Sequence, residues 1–189
     1  KMEGKNKVQF NLKNVHYAII ETSGEAVSWK TPVKVTGAVN LALEQQGELS
    51  KFYADGIVYW KTASNNGYEG DLEMALIPDQ MLQEVWGMIK EADDNVIVEN
   101  AFVQPKPFAL LFQIDGDASE RLYCLYNCAA TRPGITSKTN EETKEPQTQK
   151  CTVSATPLED GRVMAKTSDD TSPEVKAAWF QKVYEKAGA

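Results

Sequence analysis

FYADGIVYWKTASNNGYEGDLEMALIP, residues 52–78, decides how this chain is read. In its second half Tyr68, Gly70, Leu72, Met74 and Leu76 fall on one side of an extended backbone, and Glu69, Asp71, Glu73 and Ala75 on the other. Strict alternation of this kind marks a strand buried on one face only. In the first half, Asp55-Gly56 is a strong tight-turn signal, residues 57–61 read as a strand, and TASNNG is the turn between the two strands. Pro78-Asp79 then opens a helix whose apolar stripe is Met81, Leu82, Val85, Trp86 and Ile89, with Asp93-Asp94-Asn95 as its end.

The same period of two recurs on both sides of this stretch. Val8, Phe10 and Leu12, then Val15, Tyr17 and Ile19, predict an early strand, and Ser23-Gly24 turns it back into residues 26–29. Short strands follow around 33–35 and 39–43, punctuated by Pro32 and Gly37. Residues 44–56 begin polar and read as a long loop. Beyond the helix, 96–98 is a short strand and Pro105 and Pro107 bracket a loop. Residues 108–114 and 121–131 form a hairpin around Asp115-Gly116-Asp117. Residues 132–150 are rich in Thr, Lys and Glu, and a loop of that length in a compact domain is functional or disordered as a rule. Residues 151–156 and 162–167 alternate again around Asp160-Gly161, and Asp169-Asp170 serves the next turn. Ser172 as N-cap, Pro173 at the first helical position and Glu174 in the first turn announce a C-terminal helix. Its stripe is Val175, Ala178, Trp179 and Val183, and Gly188 is its stop. About ten strands and two helices, without βα alternation, predict a mainly β protein: an antiparallel sandwich or barrel with one flanking and one C-terminal helix.

Length and composition bound the function. A chain of 189 residues suits one domain, 1–189, with 1–7 as a flexible tail. Lys1 ahead of Met2 suggests a cloning remnant or a trimmed start, and the tail has no hydrophobic run of a secretory signal. An apolar share of 42% is enough for a real core. No apolar run approaches the roughly 20 residues that span a bilayer, so no membrane anchor is expected. Twenty Lys and Arg against 27 Asp and Glu leave a net charge of −7, a poor balance for gripping nucleic acid. The same balance does not exclude a surface that must repel nucleic acid. Lys5, Lys7 and Lys13 make only a weak basic patch. Cys124, Cys128 and Cys151 lack metal-ligand spacing; the first two, four residues apart in a strand, are expected to share a face as small buried hydrophobes.

Chemistry-bearing constellations are sparse. His16 is the single histidine, and any Ser–His–Asp or Cys–His arrangement would have to use it; a strand histidine is more often structural. Glu69, Asp71 and Glu73 could pair as acid and base, although the polar face of a half-buried strand looks the same. Asp115-Gly116-Asp117 lacks the further oxygens of a calcium loop and reads as a turn. Trp29, Trp60, Tyr53, Tyr59 and Phe52 could form a sugar-stacking platform, which keeps a carbohydrate-binding module open as an alternative. No catalytic residue, cofactor or metal ligand is assigned, and no enzyme is expected.

Five blocks carry a family resemblance: FNLKNVHYA (10–18), GAVNLAL (37–43), the FYADGIVYW…NNGYEGDLEMALIP stretch (52–78), QPKPFALLFQIDGD (104–117) and LYNCAATRP with EPQT (125–133, 145–148). DTSPEVKAAWFQKVY near the end also fits. In these the chain resembles the major tail (tail tube) proteins of siphoviruses, of the phi-thirteen type. The segment around residues 83–95 and the N-terminal tail match less well.

The resemblance implies an antiparallel β-sandwich with a flanking helix. It implies a structural virion protein, made in the bacterial host cytoplasm and located in the tail. Six copies would close into a ring, and stacked rings into a tube through which DNA passes without specific binding. The related alternative is the tube of a phage-tail-like bacteriocin. Partners would be other copies of itself and tail proteins such as the tape measure and the terminator. Under this reading 44–56 and 132–150 are assembly loops, and Leu49, Phe52, Tyr53, Asp55 and Ile135 are inter-subunit contacts. Glu69, Asp71 and Glu73 would face the lumen, where carboxylates raise the energy of close phosphate contact.

Overall fold

A computed structural model describes residues 9–23, 26–116, 120–139 and 146–186. The tail at 1–7, Val8, Gly24, Asp117, the centre of the 132–150 segment and Gly188 lie outside the described residues.

Strand β1 (Phe10–Ser23) is the spine of the fold. Its apolar positions step from Leu12 to Val15, three residues, which in a regular strand would change face. Asn14, with φ 49°, sits where the register against the partner strand shifts between Lys13 and His16. The extra residue is a bulge, and it lets Leu12 pack against the same core as buried Val15, Tyr17 and Ile19. β2 (Ala26–Trp29) folds back on the end of β1, and β3 (Val33–Lys34) pairs with its middle.

The chain continues through β4 (Ala38–Gln46), β5 (Leu49–Ala54), β6 (Ile57–Ala63), β7 (Gly67–Met74), helix α1 (Asp79–Trp86), β8 (Ile89–Lys90) and β9 (Ile97–Val98). It closes with β10 (Phe108–Asp115), β11 (Leu122–Ala130), β12 (Gln149–Ala155), β13 (Met164–Lys166) and α2 (Pro173–Ala178). The main sheet runs β2-β1-β10-β11-β12-β7-β4, with β3 on β1 and β13 on β11, and every pairing is antiparallel. The mainly β, antiparallel architecture with two helices is the one the sequence predicts.

The sheet curls until β4, at one end, approaches β1 near the other. Its inner face therefore wraps one core, built from Val15, Tyr17, Phe108, Leu110, Leu125, Cys128, Val153, Leu72 and Met74. Helix α1 adds Met81, Val85 and Trp86 to that core. The Trp86 indole N–H donates to Ala130 O at 3.2 Å and Thr131 O at 3.0 Å, so the buried ring leaves no polar group unmet. A second, smaller core lies on the outer side, where Trp179 and Val183 cover Ala109, Leu111, Leu122, Cys124 and Tyr126.

Several local expectations are corrected. Cys124 belongs to the outer core and Cys128 to the inner one. Phe108 pairs with Cys128 but Leu110 with Leu125, so β11 carries one extra residue, and that bulge reverses the face between the two cysteines. The strand over 67–77 stops at Met74; the backbone bends at Ala75 and Leu76, and Leu76 is exposed. Helix α1 ends at Trp86, well before Asp93. Gly87 takes φ 65° and its N–H returns to Leu82 O, a left-handed stop that a residue with a Cβ reaches only at a cost. Ile89 is therefore off the helical stripe and sits exposed in β8. At the C-terminus Ser172 Oγ accepts from Val175 N as expected, yet α2 is only 6 residues long. Trp179 and Val183 reach the core from the turn and extended chain that follow it.

Candidate assembly surfaces

The segment read as a polar loop, 44–56, is strand on both sides of a short joint. β4 pairs with β7 and β5 with β6, so the four strands form one long hairpin. The joint is knitted by Glu48 N to Ser64 Oγ (2.9 Å), Ser64 N to Glu48 O (3.0 Å) and Asn66 N to Gln46 O (2.8 Å). The lower half lies in the main sheet, whereas β5–β6 is a two-stranded sheet of its own. Six residues of strand carry this arm roughly 20 Å past the sheet, at about 3.3 Å per residue. Its tip is Asp55-Gly56, with φ 53° and 76°, between paired Ala54 and Ile57. Two left-handed residues in a two-residue loop are what a hairpin turn with the strands' own twist requires.

Every residue of β6 is exposed, and every residue of β5 except half-buried Ala54. Phe52 pairs with Trp60 and Ser50 with Thr62, which gives one face of the arm no charge at all. Leu49, Lys51, Tyr53, Val58, Lys61 and Ala63 share the other face by register. Sequence reasoning singled out Leu49, Phe52, Tyr53 and Asp55, all exposed here. It gave β6 no role in contacts between subunits, although Ile57, Val58, Tyr59 and Trp60 are all exposed. Asp-Gly between two apolar runs was the available signal.

Ile135 is 95% exposed but does not join the arm. Gly134 N bonds Lys150 O, and Lys150 pairs with Glu73, near the end of β7 away from the arm's root at Gly67. Arg132, beside it, forms an ion pair with Glu99 (2.9 Å) and donates to Asn100 O (3.1 Å) and Val103 O (2.7 Å). It thereby ties the segment after β9 to the same end of the sheet. Phe102, 92% exposed, lies in that segment, and the β8–β9 hairpin with exposed Ile89, Val96 and Val98 leads into it. Open apolar side chains thus stand at both ends of β7.

Between those ends Glu69, Asp71 and Glu73 line the outer face of β7, opposite buried Leu72 and Met74. Register places Glu44 of β4 across from Glu69. Thr152 Oγ1 donates to Asp71 Oδ1 at 3.1 Å, Lys150 Nζ lies 3.2 Å from Asp71 Oδ2, and Thr148 Oγ1 donates to Glu73 Oε1 at 2.5 Å. The result is a continuous acidic strip held in place by hydroxyls and one lysine.

The remaining reactive side chains have structural surroundings. His16 is buried, its Nδ1–H donates to Asn14 O at 2.8 Å, and its ring stacks on Phe180 at 4.5 Å. Burial, with Lys34 nearby, lowers its pKa against the opposing pull of the Asn14 carbonyl. The unfolded chain therefore takes up this proton more readily than the native one. The associated stability is whole above the ordinary histidine value near 6.5 and is lost as pH falls from there through the native pKa. The urea midpoint should drop less between about pH 7.5 and about 5.5 in His16→Phe than in the parent chain; equal drops would show that His16 plays no part.

The three thiols are free and buried; burial pushes Cys124 up to about 12, Cys151 up to about 11, and Cys128 upward too, which keeps them protonated and unreactive. Trp29 does not join the arm's aromatics: its N–H donates to Tyr126 O at 3.0 Å and it packs against the outer core. Lys13 pairs with Asp115 at the β1–β10 edge, while Lys5 and Lys7 lie outside the described residues. Among the described residues no three His, Cys, Asp or Glu gather as a metal site, and no helix is long and apolar enough to cross a membrane.

No protein-family model matches the chain. No curated protein matches it either. Among solved structures it is similar to the cryo-EM structure of the anti-feeding prophage cap, the tube-terminating cap of that particle, at 13% identity and a TM-score of 0.43. The alignment covers 85% of this chain and 93% of the other.

Proposed function

We propose that this chain is a structural, non-catalytic subunit of a phage tail tube, assembling as hexameric rings that stack around a DNA passage. The observation that carries the reading is the β5–β6 arm, a ribbon that leaves the sheet with Leu49, Phe52, Tyr53, Ile57, Val58, Tyr59 and Trp60 all in solvent. A lone two-stranded hairpin is marginal in water, and an apolar one invites association. A neighbouring subunit supplies the missing cover. The antiparallel curled sheet fits the family resemblance in residues 10–18, 37–43, 52–78 and 104–117. The acidic strip of Glu44, Glu69, Asp71 and Glu73 suits a lumen wall that repels phosphate. Copies of the chain are the main partner, the tape measure and terminator the others, and the virion tail is its place.

Negative-stain microscopy of the concentrated protein, alone and with tail extracts, tests this. Rings or tubes of uniform diameter are expected. Particles that stay monomeric at every concentration and never enter tails would refute it.

A further inference from the structure

We propose that the β8–β9 hairpin is the seat on which the lysine-bearing face of another copy's arm docks. The inference rests on the tube reading and names the surface that receives the arm.

The two surfaces match in shape of chemistry and in charge. The arm's face offers Leu49, Tyr53 and Val58 with Lys51 directly opposite Lys61. Like charges facing each other across a ribbon weaken it, and among the described residues neither lysine has an ion-pair partner. On β8–β9, Ile89 pairs with Val98, and Glu91 N bonds Val96 O, which puts Ile89, Glu91, Val96 and Val98 on one exposed face. Asp93 and Asp94 stand exposed at its turn. Glu99 is already paired with Arg132, so Glu91, Asp93 and Asp94 are the anions left to meet the lysines.

Position agrees with chemistry. The arm departs from the Gly67 end of β7, and Arg132 and Gly134 fasten the β9 segment to the Met74 end. A donor at one end of a subunit and an acceptor at the other give a head-to-tail contact between copies, the kind that closes into rings or propagates along an axis according to its rotation. A second copy is therefore the occupant.

Lys51→Glu with Lys61→Glu makes one variant, and Glu91→Lys, Asp93→Lys, Asp94→Lys the other. All five side chains are exposed, so both should fold, as circular dichroism and urea midpoints would establish. Each variant alone forces like charges together at the contact, so each should lose at least about tenfold in polymer fraction by sedimentation. Mixed together they should polymerise again, because each supplies the face that the other now needs. A Lys61→Cys chain mixed with an Asp93→Cys chain should form an intermolecular disulfide when a copper–phenanthroline oxidant is added, the native cysteines being buried. Unchanged polymerisation by both charge variants, no rescue on mixing, or no cross-link within formed tubes would overturn the seat and leave the tube reading standing. A parent chain that never polymerises would overturn both.

Discussion

Joining Gln46 directly to Gly67 through an Asn-Gly turn should leave the fold standing and abolish polymerisation. The cut removes the whole β5–β6 arm and its joint, while Gln46 and Gly67 are already partners, so the new two-residue loop closes the β4–β7 pair where the ladder expects it. The removed segment adds no buried side chain to either core. Its loss should shift the urea midpoint of the monomer little, within the range of surface changes, about 0.5 kcal/mol. Assembly is another matter. Interface energy concentrates in a few aromatic anchors, each worth about 2 kcal/mol or more when truncated. The arm carries Phe52, Tyr53, Tyr59 and Trp60 together. Sedimentation should show monomer at concentrations where the parent chain forms tubes. Tubes of unchanged length and diameter from the shortened chain would remove the arm from the assembly surface.

The opposite pattern is expected at Trp86. Trp86→Ala should cost about 3–5 kcal/mol, the range for emptying a large aromatic site in a core. Trp86 is fully buried, and its N–H meets the carbonyls where β11 ends. Loss of the ring opens a cavity between α1 and the sheet and strips a donor from Ala130 and Thr131. For a chain of this size the melting temperature should fall by roughly 10 °C. Trp60→Ala, by contrast, should leave stability within about 0.5 kcal/mol, because the ring stands in solvent. Equal melting temperatures for Trp86→Ala and the parent would mean that the inner core does not depend on α1.

Much of the fold was written in local pattern. Leu72 and Met74 inward, Glu69, Asp71 and Glu73 outward, follows from a side-chain period of two and needs no neighbour to be read. The β10–β11 hairpin and the N-cap at Ser172 are equally local. Of the proposed assembly surfaces, the aromatics at Phe52 and Tyr53 were visible because apolar side chains flank a turn signal. Their exposure was not, since an apolar strand reads the same whether it enters a core or projects from it.

The faces of Cys124 and Cys128 show where local reading fails. A bulge changes parity with one residue, and nothing in LYCLYNCAA marks it; only the register against Phe108 and Leu110 does. The end of α1 at Gly87 is a milder case, because the stripe through Ile89 continued the helical period past a glycine that turns left-handed. Sequence alone determined that this is a β protein with an acidic outer strip and two helices, because alternation and capping are set by residues within one turn or one strand of each other. Only the tertiary structure decided that residues 49–63 leave the sheet as an arm, and that the β8–β9 face lies at the far end of β7. Both depend on which strands find partners across the chain, and that is fixed by long-range pairing and burial rather than by neighbours in sequence.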